Sequence, residues 1–167
     1  MTKRMWMALI SLGGLFLGAY LTLYKFGVIG QLTCNVGSCE KVQTSQWSMF
    51  LGLPVATWGM GFYVLMLVLS IAGLQPRFAD SRQLSLAMLA LTTWGVLFTA
   101  WLNYLEAFVI NAWCEWCLGS AAMVALLFVL AVLDWRETRD SVASDQGYDD
   151  GDAGSDHVIT PSETSAR

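Results

Sequence analysis

The sequence predicts an all-α membrane protein: a four-transmembrane-helix bundle with a long outward loop between helices 1 and 2. Hydrophobic residues make up 56% of the 167 residues and charged residues only 13%, about half of the usual share of charge in a soluble domain. The apolar residues fall in four separate runs of roughly 20, the length that a helix needs to span a bilayer. The runs are continuous rather than alternating, which excludes a membrane β-barrel.

The four predicted spans cover residues 5–24, 54–74, 84–105 and 113–133. The first three contain no charged residue, and the fourth contains only Glu115, close to its start. We expect the first span to be retained, because it is too long for a signal peptide and no clear cleavage motif follows it. Its Gly14 and Gly18 form a small-xxx-small pattern, which is more typical of close helix packing than of a site. Pro54 suits the first turn of the second helix, where a missing N–H group costs nothing.

The distribution of lysine and arginine predicts the orientation of the bundle. Six of them lie beside the N-terminus, between spans two and three, or at the start of the tail, namely Lys3, Arg4, Arg77, Arg82, Arg136 and Arg139. The loop between spans one and two holds only Lys25 and Lys41. We therefore expect a multi-pass protein of the cell inner or plasma membrane with both termini in the cytoplasm. The long loop, residues 25–53, and the short loop, residues 106–112, would then face outward.

Residues 1–134 are expected to form the membrane domain and residues 135–167 an acidic cytoplasmic tail. The tail contains eight acidic and three basic residues, so the rest of the chain is nearly neutral. Its Ser-, Asp- and Gly-rich composition predicts disorder, and His157, the single histidine, is better explained as a solvated residue than as a ligand. The chain has no basic patch for a nucleic-acid partner.

Four cysteines form two close pairs on the side predicted to face outward. Cys34 and Cys39 lie in the long loop, while Cys114 and Cys117 open the fourth span. Thiols outside the cytoplasm become disulfides, and an even count in two pairs suggests two bridges. A bridge between Cys114 and Cys117 would close a very small loop and stabilise little. Such C-x-x-C pairs are common as redox-active dithiols.

The position of the second pair favours redox chemistry. Cys114 lies near the N-terminus of a helix, where the helix dipole favours a thiolate, the species that exchanges disulfides. Cys117 lies one turn deeper, about 4.5 Å further along the helix axis, at the edge of the hydrocarbon. A redox relay is therefore the leading hypothesis. A membrane scaffold with two static structural disulfides and a tetrathiolate zinc site are the alternatives.

A lipid-soluble electron acceptor would need a mostly apolar pocket with one or two hydrogen-bonding groups. Ser45 is a candidate donor, and Trp47 and Phe50 can lie at the membrane surface as a lid, a role compatible with interfacial anchoring. Asn103, at about the depth of Cys117, is a second polar candidate, although it could instead bond a neighbouring helix.

These residues together resemble the vitamin K epoxide reductase family over residues 5–134, without the tail. The resemblance rests on an ordered set: a loop cysteine pair, S-x-W six residues after the second cysteine, L-G-L-P at the second span and C-x-x-C at the fourth. The residues that fill it are Cys34, Cys39, Ser45, Trp47 and Cys114-Glu115-Trp116-Cys117. A lone C-x-x-C would be weak evidence, whereas this combination is specific.

The resemblance implies a membrane thiol oxidoreductase that passes electrons from a thioredoxin-like partner to a quinone, ubiquinone or menaquinone, and supports disulfide formation outside the cytoplasm. By this analogy Cys34 forms the mixed disulfide with the partner and Cys39 relays to Cys114. The Cys114–Cys117 pair is then the active-site disulfide, with Cys117 nearest the quinone. Some bacterial members carry a fused thioredoxin-like domain where this chain has its tail, so the partner is expected to be a separate protein.

The family's loop half-helix, here about residues 40–50, implies a cap over the quinone with Ser45 close to the ring. The expected quinone site consists of Ser45, Trp47, Phe50, Asn103 and Ala121. Val55 and Ala121 occupy the positions where animal relatives carry Asn and Tyr. The hydrogen bonds that hold a vitamin K epoxide in those relatives are therefore not expected here, and neither is reduction of an epoxide.

Two further alternatives fit the sequence less well. The other bacterial quinone-linked thiol oxidase is also a four-helix bundle, but it carries its C-x-x-C in the first outward loop, the reverse of the order here. A transporter usually needs charged residues inside its spans, and the interiors of these spans contain none.

Overall fold

The part of the chain that the structure describes folds into a bundle of long helices, as the sequence predicts. This computed structural model describes residues 2–30, 34, 38–78 and 81–152, with side chains as far as residue 141. Its helices are α1 (Thr2–Lys25), α2 (Cys39–Thr44), α3 (Val55–Ala72), α4 (Arg82–Tyr104) and α5 (Glu115–Asp152). Within the described residues, every one of these helices except the short α2 is long and apolar enough to cross a membrane. The chain is therefore a multi-pass membrane protein.

The connection from α1 to α3 carries local structure that the apolar pattern did not predict. After α2 come a 3-10 turn, Gln46–Ser48, and a hairpin of β1 (Met49–Phe50) and β2 (Leu53–Pro54), paired antiparallel. The two turn residues, Leu51 and Gly52, both have positive φ, 53° and 80°, as tight hairpin turns require. Trp58 Nε1 at the start of α3 donates a hydrogen bond of 3.1 Å to Phe50 O, which fastens the hairpin to the bundle.

Close packing of α1 against α3 depends on the two glycines of α1. A Cβ on Gly14 would overlap the ring of Tyr63, and a Cβ on Gly18 would meet the backbone of Met60 at 3.4 Å. The Tyr63 hydroxyl then lies 2.8 Å from Ser120 Oγ on α5, so one aromatic side chain joins three helices. The small-xxx-small pattern therefore serves helix packing, as expected.

The core of the bundle receives side chains from all four long helices. Its fully or nearly fully buried members are Met7, Tyr63, Met66, Met88, Val124, Leu127 and Ala131. Much of the remaining apolar surface of these helices is exposed, which is the arrangement expected when lipid, rather than water, surrounds a bundle.

A buried ion pair holds the end of the bundle where α1 begins. Arg4 and Asp134 are only 5% and 7% exposed, and Arg4 Nε donates to Asp134 Oδ1 at 2.8 Å. Ser85 Oγ donates to Asp134 Oδ2 at 2.6 Å, and Arg4 Nη1 donates to Gly73 O at 2.8 Å. One polar network thus connects α1, the end of α3, α4 and α5, with several hydrogen bonds to compensate the desolvation of the two charges.

α5 continues well beyond the predicted end of the fourth span. The backbone of residues 135–152 is helical where we expected a disordered tail. The first residues beyond the span still pack on the bundle: the Arg82 guanidinium lies 5.4 Å from the centre of the Trp135 ring, and Glu137 pairs with Lys3. These contacts explain why the helix does not end with its apolar run.

Residues 153–167, which include His157, lie outside the described residues, so the disorder expected for them stays a prediction. The division of the chain into a membrane domain and a tail at residue 134 also stays a prediction. The contacts of Trp135 and Glu137 show only that packing against the bundle extends past that position.

Replacement of Asp134 by alanine tests the contribution of the buried ion pair. The variant leaves the Arg4 guanidinium buried without its carboxylate, and we expect a loss of about 3–5 kcal/mol in the free energy of unfolding. Glu137→Ala is the matched control, because it removes an exposed carboxylate paired with Lys3 and should cost less than about 1 kcal/mol. Thermal unfolding of both variants in the same detergent measures the difference. Equal losses would contradict the importance of the buried pair.

Candidate redox site

The four cysteines lie together at the end of the bundle where α5 begins. Cys39 and Cys114 are 1% and 0% exposed and belong to one buried cluster with Val42 and Ala112. Cys34 and Cys117 pack against the same cluster. The loop pair and the helix pair, distant in sequence, are therefore brought into one cluster of packed side chains.

The two cysteine pairs differ in geometry. Cys34 and Cys39 form a disulfide with a Cα–Cα distance of 6.4 Å, whereas Cys114 and Cys117 are free thiols. Of the two bridges suggested by the sequence, the structure contains the one in the loop. This bridge also removes two of the four thiolates that a tetrahedral zinc site would need.

Backbone geometry brings the two pairs together. Ser38 N, directly before α2, donates a hydrogen bond of 3.0 Å to Trp113 O, directly before Cys114. Asn111 adopts the left-handed conformation, with φ of 50°, which asparagine tolerates better than most residues. It ends the π-helical turn Leu105–Ile110 that extends α4, and the chain reverses there to deliver Cys114 to α2.

Cys114 takes the capping position in front of α5. Its sulfur is hydrogen-bonded to the Cys117 thiol and to the backbone N–H groups of Cys117 and Trp116, the groups that an N-terminal cap normally satisfies. These donors, above all the Cys117 thiol, lower the pKa of the Cys114 thiol although burial and the nearby Glu106 act against them. These donors, with the Cys117 thiol first among them, thus favour a thiolate at Cys114, and the contribution of the helix dipole stays a prediction.

A cavity of about 630 Å³ adjoins this cluster, a volume within the usual range for small-molecule sites. Side chains of the four long helices and of the α1–α3 connection line it, and most of them are apolar. Cys117 is part of the lining, whereas Cys34, Cys39 and Cys114 are not. Cys117 is therefore the sulfur at which the cysteine cluster and the cavity meet.

Glu106 is a member of the site that was not predicted. It is 4% exposed and lines the cavity. Its Oε2 accepts a hydrogen bond of 3.4 Å from Cys114 N, and its carboxyl group is hydrogen-bonded to the Cys117 thiol. It lies in the π-helical turn, a rare conformation that is frequent at functional sites. A lone acidic residue at the end of an apolar run, only eight residues before Cys114, was the available signal.

A model of the vitamin K epoxide reductase family matches residues 5–132, which is most of the chain and all four helices of the bundle. The chain belongs to the vitamin K epoxide reductase family. Membership makes it a membrane oxidoreductase of thiols and disulfides, in agreement with the resemblance seen in the sequence. The matched range contains all four cysteines and all the described residues that line the cavity.

Four of the five residues predicted for a quinone site of this family lie in the cavity wall. They are Ser45, Trp47, Phe50 and Asn103. Ala121 is not in the wall, because neighbouring residues of a helix point about 100° apart and it is Ser120 that faces the cavity. No contact supports the role expected for Ala121.

Ser45 and Phe50 fix the position of the segment between α2 and α3, which lines one side of the cavity. The Ser45 hydroxyl donates to Val42 O at 2.7 Å, so its one proton is engaged and toward the cavity it offers lone pairs rather than the donor we predicted. The ring of Phe50 makes edge contacts with Trp58, Phe98 and Trp101, with ring centroids 5.8 to 6.3 Å apart. Such aromatic contacts anchor the hairpin over α3 and α4.

Asn103 has a polar atom without a partner. Its Nδ2 donates to Thr99 O one turn back at 2.9 Å, whereas its Oδ1 is buried and has no hydrogen-bond partner among the described residues. Because only the amide nitrogen can donate to a carbonyl, this bond determines the orientation of the side-chain amide. Asn103 therefore bonds its own helix rather than a neighbouring one, and it presents a buried acceptor in the cavity wall.

Gln43 is a second unpredicted member of the site. It is buried on α2, lines the cavity, and places its Nε2 4.0 Å from Cys117 Sγ. Lys25 Nζ at the end of α1 donates to Gln43 O at 2.5 Å and to Ser48 Oγ at 2.7 Å. The last residue of α1 thus ties down the end of α2, as a cation near a helix C-terminus is expected to do.

Substitution of Cys117 tests the cause of the lowered pKa of Cys114. Cys117→Ala removes the main donor to the Cys114 sulfur, so we expect the pKa of Cys114 to rise. Cys117→Ser keeps a hydroxyl donor at this position and should hold that pKa closer to its lowered value. Because Cys34 and Cys39 are bridged, Cys114 is the single thiol of either variant, and its thiolate absorbance can be followed against pH. An identical pKa in both variants would contradict this explanation.

Proposed function

We propose that this protein is a quinone-dependent thiol oxidase that takes electrons from a thioredoxin-like protein outside the cytoplasm and passes them to ubiquinone or menaquinone. The observation that carries the proposal is that Cys117 belongs both to the cysteine cluster and to the cavity wall. Of the four cysteines, Cys34 lies in the loop, and Cys117 lines an apolar cavity between the membrane helices. Disulfide formation in exported proteins is the expected outcome.

The first exchange occurs at the loop pair. Cys34 is partly exposed while Cys39 is buried, so Cys34 is the sulfur that a protein partner can reach. A partner thiolate attacks Cys34 and releases Cys39 as a thiolate, and the second partner thiolate then displaces Cys34 to form the partner's disulfide. The partner loses two electrons and the loop pair gains them.

The second exchange joins the loop pair to the helix pair. Cys39 and Cys114 lie in the same buried cluster, so the Cys39 thiolate can attack Cys114 of an oxidised Cys114–Cys117 pair and release Cys117. Attack of Cys34 on Cys39 then restores the loop bridge and releases Cys114. The products are a loop disulfide and a reduced helix pair, which is the combination found in the structure.

The residues of the cavity fit a quinone. The wall is mainly apolar, it contains Cys117, and the buried Oδ1 of Asn103 has no protein partner, so it can accept a hydrogen bond from a quinol hydroxyl. Phe50 and Trp47 close one side. When bound there, a quinone accepts two electrons and two protons as Cys114 and Cys117 become a disulfide.

Orientation in the membrane follows from the basic residues. Arg4 and Arg82 make their contacts at the end of the bundle away from the cysteines, so the positive-inside rule puts the cysteines outside. Under this proposal both termini are cytoplasmic, and the site faces the compartment in which disulfides form.

A reconstituted reaction tests the proposed function. The purified protein is mixed with a reduced thioredoxin-like dithiol and either ubiquinone or menaquinone, and quinone reduction is followed optically. We expect turnover with the unchanged protein and none with Cys117→Ala, because the sulfur at the cavity is then missing. Unchanged thermal unfolding of that variant controls for the fold. Failure of the unchanged protein to reduce either quinone would refute the proposal.

Trapping distinguishes the relay from a membrane scaffold with static disulfides. Cys39→Ala leaves a free Cys34 thiolate, which should attack the disulfide of an oxidised partner and release one partner thiolate, and the resulting mixed disulfide should appear on a non-reducing gel. Cys34→Ala is the matched control, since its remaining loop sulfur is buried and should form none. A scaffold would give no mixed disulfide with either variant.

Asn103→Leu tests the proposed contact with quinol. The substitution keeps the size of the side chain but removes the free acceptor, and we expect quinone reduction to fall roughly fivefold, the effect of one net hydrogen bond. Reduction of the Cys34–Cys39 disulfide by the partner should be unchanged, because this exchange takes place in the loop and does not involve the cavity wall. Gln46→Leu, an exposed residue of the same connection outside the cavity wall, is the control. An equal loss in both variants would argue against the contact.

A further inference from the structure

Glu106 is a buried ionisable side chain at the redox site that the relay described above does not use. Its carboxyl group has no ion-pair partner among the residues that the structure describes, and it is the single acidic or basic residue in the described lining of the cavity. A buried carboxyl group without a cation is costly, and ionisable residues at membrane depth usually have a function. Its surroundings contain the groups of a proton-transfer site.

The position of Glu106 is between the sulfur that gives up electrons and the cavity. It is hydrogen-bonded to the Cys117 thiol and to Cys114 N, and it lines the cavity beside Cys117. Cys114 and Cys117 are themselves hydrogen-bonded to each other. Cys114, Cys117 and the carboxyl group of Glu106 are therefore neighbours beside the cavity.

Oxidation of the Cys114–Cys117 dithiol by a quinone requires a route by which protons move from the sulfurs to the quinone. When Cys114 and Cys117 form a disulfide they lose two electrons and two protons, and a quinone needs the same two electrons and two protons to become quinol. The cavity is lined mainly by apolar side chains, which offer few routes for protons. A carboxyl group at its wall provides an acceptor and a donor in one place.

We propose that Glu106 is the catalytic acid–base residue of this site and carries the protons of the Cys114–Cys117 dithiol to the quinone oxygens. This proposal rests on the function proposed above. In the first transfer the S–H bond of Cys117 breaks and an O–H bond forms on Glu106, which then gives that proton to a quinone oxygen. The proton of Cys114 follows through Cys117 to the same carboxylate. The S–S bond forms, its two electrons pass to the quinone, and no other oxidant or proton donor is needed.

A purely structural role for Glu106 is the alternative. Its Oε2 accepts a bond from Cys114 N, and its backbone oxygen accepts one of 3.2 Å from Ala112 N, so the residue also supports the turn that delivers Cys114. Glu106→Gln separates the two roles. Glutamine has the same size and keeps an oxygen acceptor for Cys114 N, but it cannot take up a proton.

The test measures the two halves of the reaction separately in the full-length protein. In Glu106→Gln we expect steady-state quinone reduction to fall about 100-fold, the usual contribution of a positioned acid–base group. Reduction of the Cys114–Cys117 disulfide by the dithiol partner in a single turnover should stay within about threefold of the unchanged protein, since thiol exchange with Cys39 does not deliver protons to the cavity. Glu137→Gln, which neutralises an exposed carboxylate at the opposite end of the bundle, should leave both rates unchanged.

Each outcome decides between distinct conclusions. Quinone reduction that is equal in Glu106→Gln and the unchanged protein would overturn the role of Glu106 alone. Parallel loss of both half-reactions would overturn it in favour of the structural role. Failure of the unchanged protein to reduce quinone would overturn the proposed function and this role with it. If Glu106→Gln unfolds early, Glu106→Asp takes its place: at least a tenth of the normal rate of quinone reduction supports the proposal, and a folded variant well below that overturns it.

Discussion

Thiol–disulfide exchange requires that sulfur touch sulfur, and this requirement governs the fold around the redox site. A membrane helix cannot place two cysteine pairs from distant parts of the chain in contact by itself. Here the short helix α2 and the start of α5 bring them into one buried cluster that contains Cys39 and Cys114, joined by the hydrogen bond from Ser38 N to Trp113 O. The rest of the bundle provides the rigid support on which this small contact depends.

That support acts from several directions. Lys25 binds the end of α2 from α1, Phe50 anchors the following hairpin in the aromatic side chains of α3 and α4, and Glu106 holds the backbone just ahead of α5. The polar network of Arg4 and Asp134 secures the helices at their other end. Each of these interactions joins elements that are far apart in sequence, so displacement of one element affects the position of both cysteine pairs.

The sequence predicted the helices well, because a membrane span needs about 20 apolar residues and this need is visible in composition alone. The two cysteine pairs, and the position of Cys114 at the N-terminus of a helix, are also visible in the sequence, because both depend only on the local spacing of residues. The sequence did not show the continuation of α5, which depends on packing of Trp135 under Arg82. Glu106 was assigned to a loop because the apolar run ends at Leu105, whereas the chain continues as a π-helical turn. The exclusion of Ala121 and the bonding of Ser45 depend on the rotation of side chains about their helices, which spacing alone does not define.

Burial of the two central sulfurs has a consequence for selectivity. Cys39 and Cys114 are almost fully enclosed, so under the proposed relay electrons can enter only at Cys34 and leave only at Cys117. Small reductants and dissolved oxygen in the surrounding water therefore have little direct access to these two sulfurs. Under the proposed relay, packing around Cys39 and Cys114 separates the entry sulfur, Cys34, from the exit sulfur, Cys117. Tight packing, rather than the reactivity of the sulfurs, then prevents uncontrolled electron transfer between water-soluble and lipid-soluble carriers.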